Sequence, residues 1–219
     1  MDFKEAYKKI LREIDLNKQR ENVAVVGATK TKDIALIKEA AAAGLTIVGE
    51  NRAQEFIAKY EKVKGLSWHF IGALQTNKVK YIVDKVDMIH SVDRVFLAQE
   101  INKQCQKINK IMPVLVEVNI GGEETKSGVL PDKLFDLIEE IIKYPYLKIN
   151  GLMTVLPINA SQDLYKKMNN LFLSTKASYP QLDIKWLSMG MSGDYITALR
   201  CGANMVRLGS VLFGERNYN

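Results

Sequence analysis

The sequence predicts an α/β fold, a single (β/α)8 TIM barrel with an extra N-terminal helix, occupying residues 1–219 as one domain. Three observations predict it. Eight short apolar runs alternate with helical patterns, and such alternation gives parallel strands joined by right-handed crossovers. A count of eight favours closure over a doubly wound open sheet, and no GxGxxG follows the first run to support a dinucleotide fold. The composition, 47% hydrophobic and 26% charged over 219 residues, is enough for one buried core.

The elements follow in order. Phe3, Tyr7, Ile10, Leu11 and Ile14 share one face of an opening helix at i, i+4, i+7, i+8, i+11 spacing. VAVVGA (23–28) is the first strand; residues 33–43 are helical and stop at Gly44, a C-terminal glycine signal. LTIVG (45–49) is the second strand, with a helix over 51–63. SWHFIG (67–72) is the third, with a helix over 75–84. VDMIHS (86–91) precedes a helix over 93–108. MPVLVEVN (112–119) is the fifth strand, and Pro131-Asp132 opens a helix carrying Leu134, Phe135, Ile138, Ile141 and Ile142. LKINGLMT (147–154) leads to a helix over 161–178. IKWLSMG (184–190) leads to a helix from Ser192 to Arg200. ANMVRLG (203–209) leads to a short terminal helix or turn.

Several function classes are excluded by composition. The net charge is +6 and the pI about 9.1. The lysines are spread along helix faces among acids, and no nucleic-acid-binding pattern accompanies them, so no nucleic acid partner is expected. No apolar run approaches the ~20 residues of a membrane helix. Charges at Asp2, Lys4, Glu5, Lys8, Lys9, Arg12 and Glu13 speak against a secretory signal. Cys105 and Cys201 lack metal-ligand spacing, which implies a reducing, cytoplasmic setting without disulfides.

Chemistry in such barrels sits at the C-terminal ends of the strands. Lys30 follows a buried apolar strand. A lysine in an apolar setting has its charged form disfavoured, and the neutral amine can form a Schiff base with an aldehyde. An ordinary loop lysine reaching into water is the alternative. Ser192-Gly193-Asp194 supplies a hydroxyl N-cap, and Gly209-Ser210 a close-approach backbone with a second hydroxyl. Together these fit the phosphate site that barrels place after strands seven and eight; each alone reads equally well as a helix cap or a tight turn. His69 and His90 have no evident third ligand, so no metal is expected. Glu50 and Glu117 show no glycosidase spacing. GGEETKSG (121–128) is either ligand-covering or a solvated loop.

The segments ATKTK (28–32), GEN (49–51), WHFIGALQTNK (68–78), HSVD (90–93), EVNIGGEETKSG (117–128), GLMT (151–154), LSMGMSGDY (187–195) and MVRLGSVLFGER (205–216) carry a resemblance. In this order, over nearly the whole chain, they resemble the YggS/PROSC family of pyridoxal 5'-phosphate (PLP) homeostasis proteins. The resemblance implies a barrel similar to the N-terminal domain of alanine racemase, with PLP as an internal aldimine on Lys30. It implies phosphate-binding roles for Ser192, Gly209 and Ser210, a cofactor-lining role for Asn51, and Arg207 facing the pyridine nitrogen. Thr29 and Ser210 depart from the family pattern conservatively. A permanent cation at Arg207 disfavours protonation of that nitrogen and makes PLP a poorer electron sink. The second domain that carries the racemase tyrosine is expected to be missing. The resemblance therefore implies a PLP carrier, not an enzyme, with PLP-dependent apoenzymes as recipients. The missing second domain favours a monomer, and the cysteines and the short apolar runs favour a cytoplasmic protein with no membrane partner. A weak amino-acid racemase is the alternative. A barrel holding another phosphorylated metabolite would leave Lys30 idle.

Overall fold

A computed structural model describes residues 3–214. Eight parallel strands close into a barrel in chain order: β1 Ala24–Ala28, β2 Ile47–Glu50, β3 Ser67–Phe70, β4 Met88–Val92, β5 Met112–Glu117, β6 Leu147–Met153, β7 Trp186–Ser188 and β8 Met205–Leu208. The ring closes where β1 pairs with β8, setting Val26 beside Arg207 and Gly27 beside Leu208.

Period two along each strand sorts the residues into two layers. Val25, Val48, Trp68, Phe70, Val114, Val116, Leu187 and Val206 point outward into the large core beneath the helices. Val26, Ala28, Ile71, Met88, Leu115, Met153 and Met205 point inward and fill a smaller cluster inside the ring. The same inward parity carries His69, His90, Glu117, Ser188 and Arg207. The polar set thus lies inside the ring between apolar residues, with Met88 and Met205 towards the base and Ala28, Ile71 and Met153 at the C-terminal ends. Gly151 is required where β6 meets β7: its φ is +152°, and a Cβ there would lie 1.9 Å from the Trp186 carbonyl oxygen.

The outer helices are α1 Phe3–Asn17, α2 Ile34–Ala42, α3 Ala53–Tyr60, α4 Val95–Lys107, α5 Leu134–Ile141, α6 Gln162–Ser178, α7 Tyr195–Arg200 and α8 Ser210–Phe213. α1 buries Phe3, Tyr7, Ile10 and Ile14 as its spacing predicts, but Leu11 stays exposed at the edge of that face. α2 starts at Asp33, whose side chain accepts the Leu36 amide at 2.8 Å, and ends before Gly44 at φ +99°.

Three expectations change. The helix predicted over 75–84 is a 3-10 turn, Thr76–Tyr81. Its apolar residues Val79 and Ile82 are three apart, a spacing that stacks on one side of a three-residue turn, and both are fully buried. The helix expected at Pro131 begins with a 3-10 turn, Pro131–Lys133, before α5. Ser192 does not start α7, which begins at Tyr195 after a turn. The final residues of the MVRLGSVLFGER segment, Glu215 and Arg216, lie outside the described residues.

Candidate functional site

The C-terminal ends of β1, β7 and β8 open into one cleft of about 240 Å³, lined by Ala28, Lys30, Lys32, Met191, Ser192, Gly193, Arg207, Gly209, Ser210 and Gly214. That lies just below the ~300–1,000 Å³ of drug-sized sites, a size for one phosphorylated ring and not for a dinucleotide. Five of the six residues singled out from sequence (Lys30, Ser192, Arg207, Gly209 and Ser210) meet here. Asn51 does not. It lines a separate cleft with Arg52, Gln54, Phe70, Leu74 and Lys78. At the end of β2 the chain turns outward to α3, and the Asn51 backbone rests on Gly72, where a Cβ would sit 2.4 Å from its carbonyl oxygen.

Ser192 has a role other than the helix cap expected of it. Its Oγ accepts the amides of Gly209 at 3.0 Å and Val211 at 3.3 Å, tying the β7 loop to the β8 loop. A hydroxyl has two acceptor lone pairs and one proton. With both lone pairs taken, Ser192 can serve a ligand only as a donor. An anion oxygen is the matching acceptor. Gly209 sits at φ −112°, so neither strain nor a protein contact demands glycine; a Cβ would meet Ala28 at an ordinary 3.7 Å.

The charge in the cleft is one-sided. Lys30, Lys32 and Arg207 are there, and no carboxyl, imidazole or phenol stands among the described lining residues. Lys32 Nζ donates to the carbonyls of Phe213 and Gly214 at 3.1 Å each, bridging the β1 loop to the end of α8.

Arg207 is buried beneath the cleft. It donates to Ser188 O at 2.9 Å, Ser188 Oγ at 2.7 Å and Thr154 O at 2.8 Å. Burial lowers its pKa to about 10, against the pull of Glu117 and Asp194, so it is a cation at neutral pH. Ser188 passes the contact on to His90 Nδ1 at 3.4 Å, and His90 Nε2 meets His69 Nδ1 at 2.9 Å. Ser188 Oγ, His90 and His69 thus form one buried chain beneath Arg207, whose donor and acceptor roles follow the tautomers of the two rings. Both rings are neutral: burial lowers His69 to about 4, and burial, His69 and Arg207 push His90 well below the usual range. Glu117 also faces inward. Burial and the nearby Asp93 raise its pKa to about 7, and its Oε2 has no hydrogen-bond partner among the described residues.

This column of His69, His90, Ser188 and Glu117 was missed as a unit from sequence. The available signal was inward parity on four strands, but the inter-strand register that joins them is not visible in the chain. The 121–128 loop is pinned and does not line the cleft. Asn119 holds it, accepting the Gly122 amide at 3.0 Å and donating to Glu123 O at 2.8 Å. No cluster suited to a metal ion occurs among the described residues. No described helix is long and apolar enough to cross a membrane.

Comparisons with known proteins agree with this architecture. Residues 3–217 match the family described as alanine racemase, N-terminal domain. The pyridoxal phosphate homeostasis protein of Aquifex aeolicus is 47% identical over 205 residues, covering 90% of each chain. That of Haemophilus influenzae is 37% identical over 211 residues, covering 93% of this chain and 89% of its own. The structure of PipY from Synechococcus elongatus with PLP bound superimposes with a TM-score of 0.87 at 30% identity, over 97% of this chain and 100% of PipY. Alanine racemase of Clostridium difficile shares the fold, with a TM-score of 0.77 at 19% identity, and the chain spans 58% of its length. The chain belongs to the alanine racemase N-terminal domain family and, within it, to the pyridoxal phosphate homeostasis proteins.

Proposed function

We propose that this chain is a one-domain barrel that binds PLP in the β1–β7–β8 cleft, holds it through Lys30, and serves intracellular PLP homeostasis as a carrier. The names of its relatives and the PLP-bound PipY support this reading. The observation that carries it is a primary amine and two further cations in one small cleft, with no acid among its described residues.

The donor set fits the group. Bound PLP supplies a reactive aldehyde and a dianionic phosphate. Ser192 would donate a hydrogen bond to the phosphate, with the Gly209–Ser210 turn beside it, and Lys30 would hold the aldehyde as the bonding amine, with water as the leaving group. Arg207, held on Ser188 and Thr154, would disfavour a proton on the ring nitrogen by charge repulsion.

The same cleft argues against turnover. A two-base racemase needs a positioned acid or base besides the bonding amine, worth about 10²–10⁴-fold. Beyond Lys30 the described lining offers only Lys32, Arg207 and two serines, and Lys32 is engaged on the carbonyls of Phe213 and Gly214. The protein acts as a monomer and passes PLP to apoenzymes. Incubation with PLP and L-alanine in heavy water tests this. The expected result is a spectral change from amine exchange without deuterium at the α-carbon. Deuterated, racemised alanine formed at several turnovers per second would overturn the carrier reading in favour of a racemase.

A further inference from the structure

The cleft explains Lys30 but not the charges behind it. Glu50 faces outward at the end of β2 and is fully buried. Lys59, on α3, is buried too, and its Nζ lies 2.7 Å from Glu50 Oε1 and 3.5 Å from Glu55 Oε2. Two buried charges are costly to keep, and an apolar pair in their place is often as stable. What they touch accounts for their presence.

Each member of the cluster grips the peptide that carries Lys30. Lys59 Nζ donates to the Thr29 carbonyl at 2.7 Å. The Thr29 hydroxyl donates to Glu50 Oε1 at 2.7 Å, and the Thr29 amide donates to Gly49 O at 3.0 Å. On the other side of Lys30, the Thr31 amide donates to Glu55 Oε2 at 2.9 Å. Thr31 sits at φ +63°, a left-handed conformation that a β-branched residue adopts only when its surroundings impose it. That twist follows Lys30 directly and fixes the turn in which Lys30 sits. Burial pushes the Glu50 carboxyl above its usual range, with Lys59 and Thr29 pulling it back. Glu55 is lowered: burial would raise it, but the Thr31 amide and Lys59 outweigh that.

We propose that the Lys59–Glu50–Glu55 cluster is a positioning clamp that holds Thr29 and Thr31 so that Lys30 Nζ meets the ligand aldehyde in attacking geometry. The clamp rests on the reading of Lys30 as the bonding amine. It acts on the approach of the amine, not on retention of the phosphate, which the loops after β7 and β8 would hold.

Lys59→Met alone would strand a buried carboxylate and threaten the fold. The test is therefore the double variant Glu50→Gln/Lys59→Met, with Lys59→Arg as the conservative partner. Three readouts are taken: the rate of covalent capture of PLP, the affinity for pyridoxine 5'-phosphate, which carries an alcohol in place of the aldehyde, and amide exchange in the ligand-free protein. Misplacing a reacting group by ~1 Å can cost about 10²-fold, so capture by the double variant should slow roughly ten- to hundredfold. Pyridoxine 5'-phosphate affinity should hold, the Thr31 amide should exchange faster while the barrel strands stay protected, and Lys59→Arg should recover most of the rate. Capture at the wild-type rate would overturn the clamp. So would loss of capture and pyridoxine 5'-phosphate binding together with faster exchange throughout the barrel, since that marks a merely structural pair. If the wild-type protein never captures PLP on Lys30, the proposed function fails instead, and Thr31 exchange still decides whether the clamp exists.

Discussion

Lys30 and Arg207 belong to adjacent strands of the barrel, one just beyond the end of β1 and one inside β8, and line the same cleft, yet they are held in opposite ways. Lys30 follows β1 on a peptide gripped by charges in the outer layer, from Glu50, Glu55 and Lys59. Arg207 lies within β8 and is held by neutral groups inside the ring, the Ser188 hydroxyl and two carbonyls, with uncharged His90 behind them. The difference matches the two tasks that the proposed function gives them. An amine that must form and release a bond needs a fixed peptide and a mobile tip. In the proposed function Arg207 only presents charge, and the hydrogen bonds that hold three of its five N–H donors inside the ring keep it from swinging towards the ligand.

Substitutions at the two ends should separate these tasks. The largest effect is expected from Lys30→Ala, which should abolish covalent retention of PLP through dialysis while leaving measurable pyridoxine 5'-phosphate binding. Loss of both would mean that Lys30 builds the cleft as well as reacting in it. Ser192→Ala should weaken PLP by roughly ten- to hundredfold, since a hydrogen bond to a charged group contributes about 1.5–3 kcal/mol. Pyridoxal, without the phosphate, should bind far less well to begin with and be nearly indifferent to that change. Titration by absorbance checks both, and equal binding of pyridoxal and PLP would remove the phosphate from the β7–β8 turn.

The last effect concerns the inner column, leaves ligand binding untouched and shows only in stability. Glu117 titrates near pH 7 in the fold against an ordinary value of 4.5. Between those values the folded chain holds a proton that the unfolded chain releases, so stability from this group falls as pH rises. Glu117→Gln should thus gain on the wild type between pH 4.5 and 7, by on the order of 3 kcal/mol at most. Urea unfolding at pH 5 and pH 8 measures it; a gain that is the same at both values would place Glu117 in a more solvated setting.

Much of this was legible in the chain because strand ends are legible. An apolar run that stops at Lys30, or at Gly209-Ser210, marks the barrel mouth without any contact information. Contacts between elements were not. Ser192 looked like a helix cap because a serine before a helical run ordinarily is one; its partners, Gly209 and Val211, are 17 and 19 residues away. Lys59 looked like one more surface lysine on α3, and only the fold brings it to Thr29, 30 residues earlier. The 75–84 helix failed because β-branched Thr76 and Val79 weaken an α-turn that the packing of Val79 and Ile82 does not need.

The central claim, that Lys30 is the amine that holds PLP, is tested most directly by reducing the PLP-treated protein with borohydride and mapping the modified residue by mass spectrometry. The account predicts a yellow protein that bleaches on reduction, with a phosphopyridoxyl group on Lys30. A protein that stays colourless with PLP, or a label on Lys32 or Lys126 with Lys30 untouched, would contradict it.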